Sequence, residues 1–142
     1  MLLPTPFTTS FLTCPAVNAG YARQCGVDED EIATAMDGRI AALLAVAAHH
    51  GEEHLILGAF GTGVFKNAID DVAAMFLKHL GVGGAFYQLF KSVTFAVIED
   101  EDAAAFATAF HVPVVADDAG YGGGAGDKGV IAAAYGDVLT IV

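Results

Sequence analysis

The sequence predicts an α/β fold on a mainly parallel sheet, because apolar segments of strand length alternate with segments of helical period along residues 8–110. A glycine-rich turn joins the clearest strand to the clearest helix, at residues 58–63. Beyond the alternating region, residues 111–142 read as a glycine-rich loop between two further strands. One domain accounts for all 142 residues: 1–7 as an N-terminal arm, 8–110 as the α/β core, and 111–142 as the loop and C-terminal strand pair. A chain of this length buries about two-thirds of its unfolded surface, and 55% hydrophobic residues supply the core.

Taken in order, Pro4 and Pro6 keep residues 1–7 out of regular pairing. Residues 8–14 alternate weakly and read as a strand stopped by Pro15. Residues 15–27 form a loop carrying Asn18, Gly20, Tyr21 and Gly26. Loops at the C-terminal ends of parallel strands are where open α/β sheets bind ligands, so Asn18 and Tyr21 are candidate contacts. Asn18 serves equally well as a turn cap.

Asp28 and Glu31 have capping-box spacing. Ile32, Met36, Ile40, Leu43, Leu44 and Ala47 then recur every three or four residues, giving an amphipathic helix of about 20 residues that ends at Gly51. His49 and His50 suit the negative end of its dipole and have no cysteine or carboxylate at helical spacing, so no metal site is predicted.

Leu55, Ile56 and Leu57 read as a strand covered on both faces. Gly58, Gly61 and Gly63 follow, and Asn67, Asp70 and Asp71 mark the next helix start. That helix carries Ile69, Val72, Ala73, Phe76 and Leu80 and closes near Gly81. Residues 85–91 suggest a short helical turn whose Phe86 and Phe90 join the core. A second buried strand is expected at 93–98, and the acids Glu99, Asp100, Glu101 and Asp102 cap a helix at 101–110. Residues 111–116 and 130–142 are strand-like, with Gly136-Asp137 as a hairpin turn.

Seventeen acidic residues against six Lys plus Arg give a net charge of −11, which argues against nucleic acid or an anionic membrane as partner. Cys14 and Cys25, eleven apart, make neither a disulfide framework nor a zinc spacing. The N-terminus is a poor signal peptide, and no uninterrupted apolar run approaches the ~18 residues of a membrane span. A cytoplasmic protein with reduced cysteines is expected.

A strand, a glycine turn and a helix N-terminus together can hold a phosphate or diphosphate on backbone amides. The same arrangement occurs as a plain tight turn, and one such turn is a weak fingerprint. The order of residues is more specific. Leu57-Gly58-Ala59-Phe60-Gly61-Thr62-Gly63-Val64-Phe65-Lys66-Asn67 resembles the diphosphate loop of the macrodomain superfamily, and most of all that of the microbial-type poly(ADP-ribose) glycohydrolases. Phe11-Leu12-Thr13-Cys14-Pro15-Ala16-Val17-Asn18 is similar to that family's strand and Ala-Pro-Asn-like turn, followed by a helix with an Arg, here Arg39. The strand at 93–98 and a helix with Phe106 and Phe110 match its C-terminal end.

The resemblance covers roughly residues 8–110, the second half of the family's usual chain, and implies a macrodomain-like three-layer fold. It also implies a small nucleotide of the ADP-ribose class as ligand and no cofactor. The amides of Gly61, Thr62, Gly63, Val64 and Phe65 would hold the diphosphate after the turn at Gly58. Phe65 would pack beside the distal ribose and Asn18 would reach a ribose, while Lys66 adds charge or is simply solvated.

The family's Gly-Gly-Gly and Gln-Glu-Glu catalytic signature lies upstream of the matched region, and no Gln-Glu-Glu occurs in this sequence, so no catalytic residue carries over. The loop at 117–129 is expected to lie on the surface. Were it to face the ligand, Gly122, Gly123 and Gly124 would offer amides, and Asp118 or Asp127 would meet a ribose or activate water. Three functions follow in order of preference: a module that binds ADP-ribose or a related nucleotide without cleaving it, a glycohydrolase with a rebuilt carboxylate, or a non-binding structural protein. A homo-oligomer fits each of them, because half a macrodomain sheet leaves edges to be covered.

Overall fold

The computed structural model describes residues 5–97, 99–111, 114–116 and 129–133. The elements run α1 (Ala19–Gln24), α2 (Glu29–His49), β1 (His54–Leu57), α3 (Ile69–Leu80), β2 (Ser92–Ala96), α4 (Asp100–Phe110), β3 (Val114–Ala116) and β4 (Gly129–Ala133). They form a mixed four-stranded sheet in the order β1-β2-β4-β3. β1 and β2 are parallel, Leu55 opposite Val93, and α3 is their crossover. β4 joins antiparallel to β2, and β3 antiparallel to β4. The C-terminal strand pair therefore extends the same sheet; the hairpin turn expected at Gly136-Asp137 lies outside the described residues.

The core forms where the helical stripes meet one face of the sheet. Met36, Ile40 and Leu44 of α2, Val72, Phe76 and Leu80 of α3, and Phe106 of α4 are buried with Leu55, Val93 and Phe95 of the strands. Phe95 is its centre, edge-on to Phe76 at 5.1 Å and beside Phe106 at 4.5 Å between ring centroids. Phe90 is buried and Phe86 half-buried, as expected from their spacing.

Several expectations need correction. Residues 8–14 are not a strand, because no described strand bonds to them; Phe11 is 91% exposed. β1 is covered on one face only: Leu55 is buried, while Ile56 on the other face is 80% exposed. The stretch 15–27 contains α1, a six-residue helix too short to show a period. The short helical turn expected at residues 85–91 takes the form of successive tight turns, the amides of Tyr87 and Leu89 bonding to the carbonyls of Gly84 and Phe86, with Gln88 in the left-handed region at φ 57°. Glu99 is the N-cap of α4 by position but makes no side-chain capping bond.

α2 is long and apolar enough to cross a membrane by length and composition, despite the absence of an unbroken apolar run. Its polar interruptions tie it to the domain. Arg39 Nη1 donates to the carbonyls of Pro15 and Ala16 at 2.7 and 3.0 Å, and Asp37 accepts from Lys78 and His79 of α3 at 2.7 and 2.8 Å.

Burial alone would push the Asp37 carboxyl up, but the hydrogen bonds and charges of Lys78 and His79 outweigh it and hold the group below its ordinary range. Asp37 therefore ionises more readily in the folded chain than in the unfolded one. Its contribution is complete above the unfolded value of about 3.9 and is lost as pH falls through the lower folded one. The thermal midpoints of wild type and Asp37→Asn are expected to differ at neutral pH and to converge below about pH 4. A gap independent of pH would contradict this role.

Candidate functional site

The site begins where β1 ends. Residues 58–67 leave its C-terminal end, make two tight turns and feed α3, whose N-cap is Ala68, with Asp70 and Asp71 in the first turn. Thr62 donates both its amide and its hydroxyl to the Ala59 carbonyl, at 3.3 and 3.1 Å. The amides of Lys66 and Asn67 bond back to Gly63 and Gly61. Among the described residues, the amides of Gly61, Gly63, Val64 and Phe65 donate to no protein group. Thr62 is the exception to the expected run of free amides, since its N–H closes the first turn.

Two glycines of the loop differ in kind. Gly61 has φ +76°, and a Cβ there would stand 2.6 Å from the Ala16 Cβ and 2.8 Å from Asn67 Nδ2. Gly61 is required by the fold. Gly63 has no atom within 4 Å of its Cβ position, and Val64 beside it is 87% exposed. The loop's outer crest, at Gly63 and Val64, is therefore open for a ligand to approach. Phe65 is half-buried and packs against the core.

The loop is held from the α1 side. Gly20 donates its amide to the Phe65 carbonyl at 3.0 Å, and Arg23 Nη1 donates to the Lys66 carbonyl at 2.8 Å. Lys66 needs that support, since it sits in the left-handed region at φ 58°. Arg23 is in turn gripped by both carboxylate oxygens of Glu29, which lowers the Glu29 carboxyl below its ordinary range.

Asn67, 9% exposed, is a residue whose role the sequence did not reveal. It caps no helix. Its Nδ2 donates to the carbonyls of Val17 and Gly61, each at 2.8 Å, and so bolts the chain before α1 to the glycine loop. No sequence signal points to this bond, because its partner lies 50 residues away.

Asn18 and Tyr21, both proposed as ligand contacts, are thereby brought beside the loop. The Asn18 side chain accepts from the Tyr21 amide at 3.0 Å and caps α1, and its amide nitrogen has no partner among the described residues. Tyr21 is exposed. Gly58 follows β1, and a Cβ added there would stand 3.6 Å from the Ala96 carbonyl, an ordinary contact. Gly122, Gly123, Gly124, Asp118 and Asp127 lie outside the described residues. No cluster of metal-ligating side chains occurs among the described residues.

A wide cleft of about 690 Å³ adjoins the end of the loop at Arg23, Asn67 and Ala68 and runs between α2 and α3. Glu29, Asp30, Asp37 and Asp71 line it against the cations Arg23 and Lys78, which are already paired with Glu29 and Asp37, so its acidic excess disfavours a diphosphate and the loop crest is the candidate site.

Solved structures share this fold. Poly(ADP-ribose) glycohydrolase from Thermomonospora curvata is 40% identical and superimposes with a TM-score of 0.70 over 76% of this chain. The chain belongs to the microbial poly(ADP-ribose) glycohydrolase-like family. The enzyme from Deinococcus radiodurans, solved in complex with ADP-ribose, is 34% identical with a TM-score of 0.71 over 78% of this chain. The T. curvata enzyme bound to the inhibitor ADP-HPD gives 40% identity and a TM-score of 0.69 over 75%. The chain spans only 40–46% of the length of these glycohydrolases. No protein-family model matches it, and no curated protein matches it significantly.

Proposed function

We propose that this chain binds ADP-ribose, or a nucleotide containing its diphosphate, on the crest of the glycine loop, and releases it uncleaved. The observation that carries this function is the open crest itself. The amides of Gly63, Val64 and Phe65 have no protein partner among the described residues, while the bonds from Gly20, Arg23 and Asn67 hold the loop in one shape. Backbone amides of this kind bind phosphate without a basic side chain, which a chain of net charge −11 requires. Solved relatives in complex with ADP-ribose support the choice of ligand. Asn18 supplies a side-chain contact to a ribose, and Tyr21 flanks it.

The glycohydrolase alternative is favoured by the names of the relatives, which are hydrolases. It requires a carboxylate to do the work of the absent Gln-Glu-Glu, with Asp118 and Asp127 as the candidates.

Ligand-dependent stabilisation tests the binding function. At a ligand concentration 100 times Kd, the free energy of unfolding rises by about 2.7 kcal/mol, so millimolar ADP-ribose is expected to raise the thermal midpoint by several degrees. Ribose 5-phosphate, which lacks the diphosphate, is expected to raise it far less. Equal shifts with both compounds would assign the effect to a general anion site.

A further inference from the structure

β1 is the outer strand of the sheet, bonded to β2 on one side, and no described residue ladders onto its other edge. The face it shares with that edge carries the exposed Ile56. Unpaired edges of this kind are templates for another strand.

The same chain carries a strand-like segment that has no sheet. Residues 8–13, Thr-Thr-Ser-Phe-Leu-Thr, are β-branched and aromatic in character, wholly exposed, and make no main-chain hydrogen bond among the described residues. The segment is tethered near both ends of β1. Ser10 Oγ donates to Glu52, two residues before β1, at 2.6 Å, and Ala16 lies against Gly61, just past its end. Within one copy it passes β1 without pairing, and among the described residues strand and edge are left open together.

A twofold exchange between two copies closes both at once, as a self-complementary interface requires. We infer that residues 8–13 of each copy add as a strand to the free edge of β1 in a second copy, with Phe11 of one beside Ile56 of the other. An aromatic beside a β-branched residue is a favourable cross-strand pair. Phe7, Phe11, Leu12 and Ile56 are all largely exposed and offer on the order of 500 Å² per copy, hence about 1,000 Å² across the twofold, which reaches the lower bound for a biological interface and suits a weak, salt-dependent dimer. A foreign strand would satisfy the β1 edge but leave the chain's own segment unpaired.

Each copy carries a net charge of −11, so association works against repulsion that salt screens. Sedimentation velocity of the full 142-residue chain tests the exchange. At about 100 μM protein and 0.5 M NaCl a dimer is expected, with a dissociation constant at least tenfold weaker at about 0.01 M NaCl. Ile56→Lys and Phe11→Asp, both at exposed positions, are each expected to weaken the dimer at least tenfold, while leaving unmoved the thermal midpoint measured on dilute protein at about 0.01 M NaCl, where the monomer prevails. A monomer at high salt would overturn the inference and leave the edge to a different polypeptide. A dimer indifferent to both substitutions would overturn it too, by placing the interface elsewhere. Neither result bears on ADP-ribose binding, which is measured separately.

Discussion

Gly61→Ala is expected to cost about 2–5 kcal/mol of stability, whereas Gly63→Val, two residues on, costs less than about 0.5 kcal/mol yet removes ADP-ribose binding. The contrast follows from what surrounds each position. At Gly61 an added methyl group enters a left-handed backbone, which costs roughly 1–2 kcal/mol. It also strikes Ala16 at 2.6 Å and Asn67 at 2.8 Å, which adds the roughly 1–3 kcal/mol of an overpacked core. At Gly63 nothing stands within 4 Å, so the valine side chain occupies only the space where the diphosphate would lie. Thermal unfolding and ADP-ribose titration of the two variants check both halves. Undiminished affinity in Gly63→Val would remove the crest from the site.

Asn67→Ala is expected to lose about 2–4 kcal/mol and to weaken ADP-ribose at least tenfold. The substitution deletes both donors of a nearly buried amide and strips the carbonyls of Val17 and Gly61 of that bond. Each lost buried partner costs about 1–3 kcal/mol. Because the same side chain fixes the chain before α1 to the glycine loop, Asn18 and the loop crest lose their common register. Asn67→Asp is expected to be worse, since a carboxylate oxygen would face two carbonyl oxygens. Urea unfolding and calorimetric titration of both variants provide the test. An Asn67→Asp protein as stable as wild type would show that the bridge is not structural.

Much of the fold was legible because it is local. The spacing of Ile32, Met36, Ile40 and Leu44, and of Val72, Phe76 and Leu80, gave α2 and α3 within two residues at each end. The order of residues from Leu57 to Asn67 gave the loop and the family. What failed depends on distant partners. Residues 8–14 have strand character, but a strand exists only where another bonds to it. The apolar run at Leu55–Leu57 looked doubly covered, yet the exposure of Ile56 is decided by the absence of packing on one sheet face. Thr62, read as an amide donor to ligand, uses that amide inside the turn. Asn67, read as a helix cap, finds its partner 50 residues away.

Isothermal titration of the purified chain with ADP-ribose, followed by chromatography of the recovered ligand, decides whether the glycine loop holds an intact ADP-ribose. Saturable binding near one ligand per chain, with the ligand recovered whole, is the predicted result. Heat at the level of dilution with millimolar ligand would contradict the account and leave the loop a turn, and recovery of cleaved ligand would contradict its claim that binding stops short of chemistry.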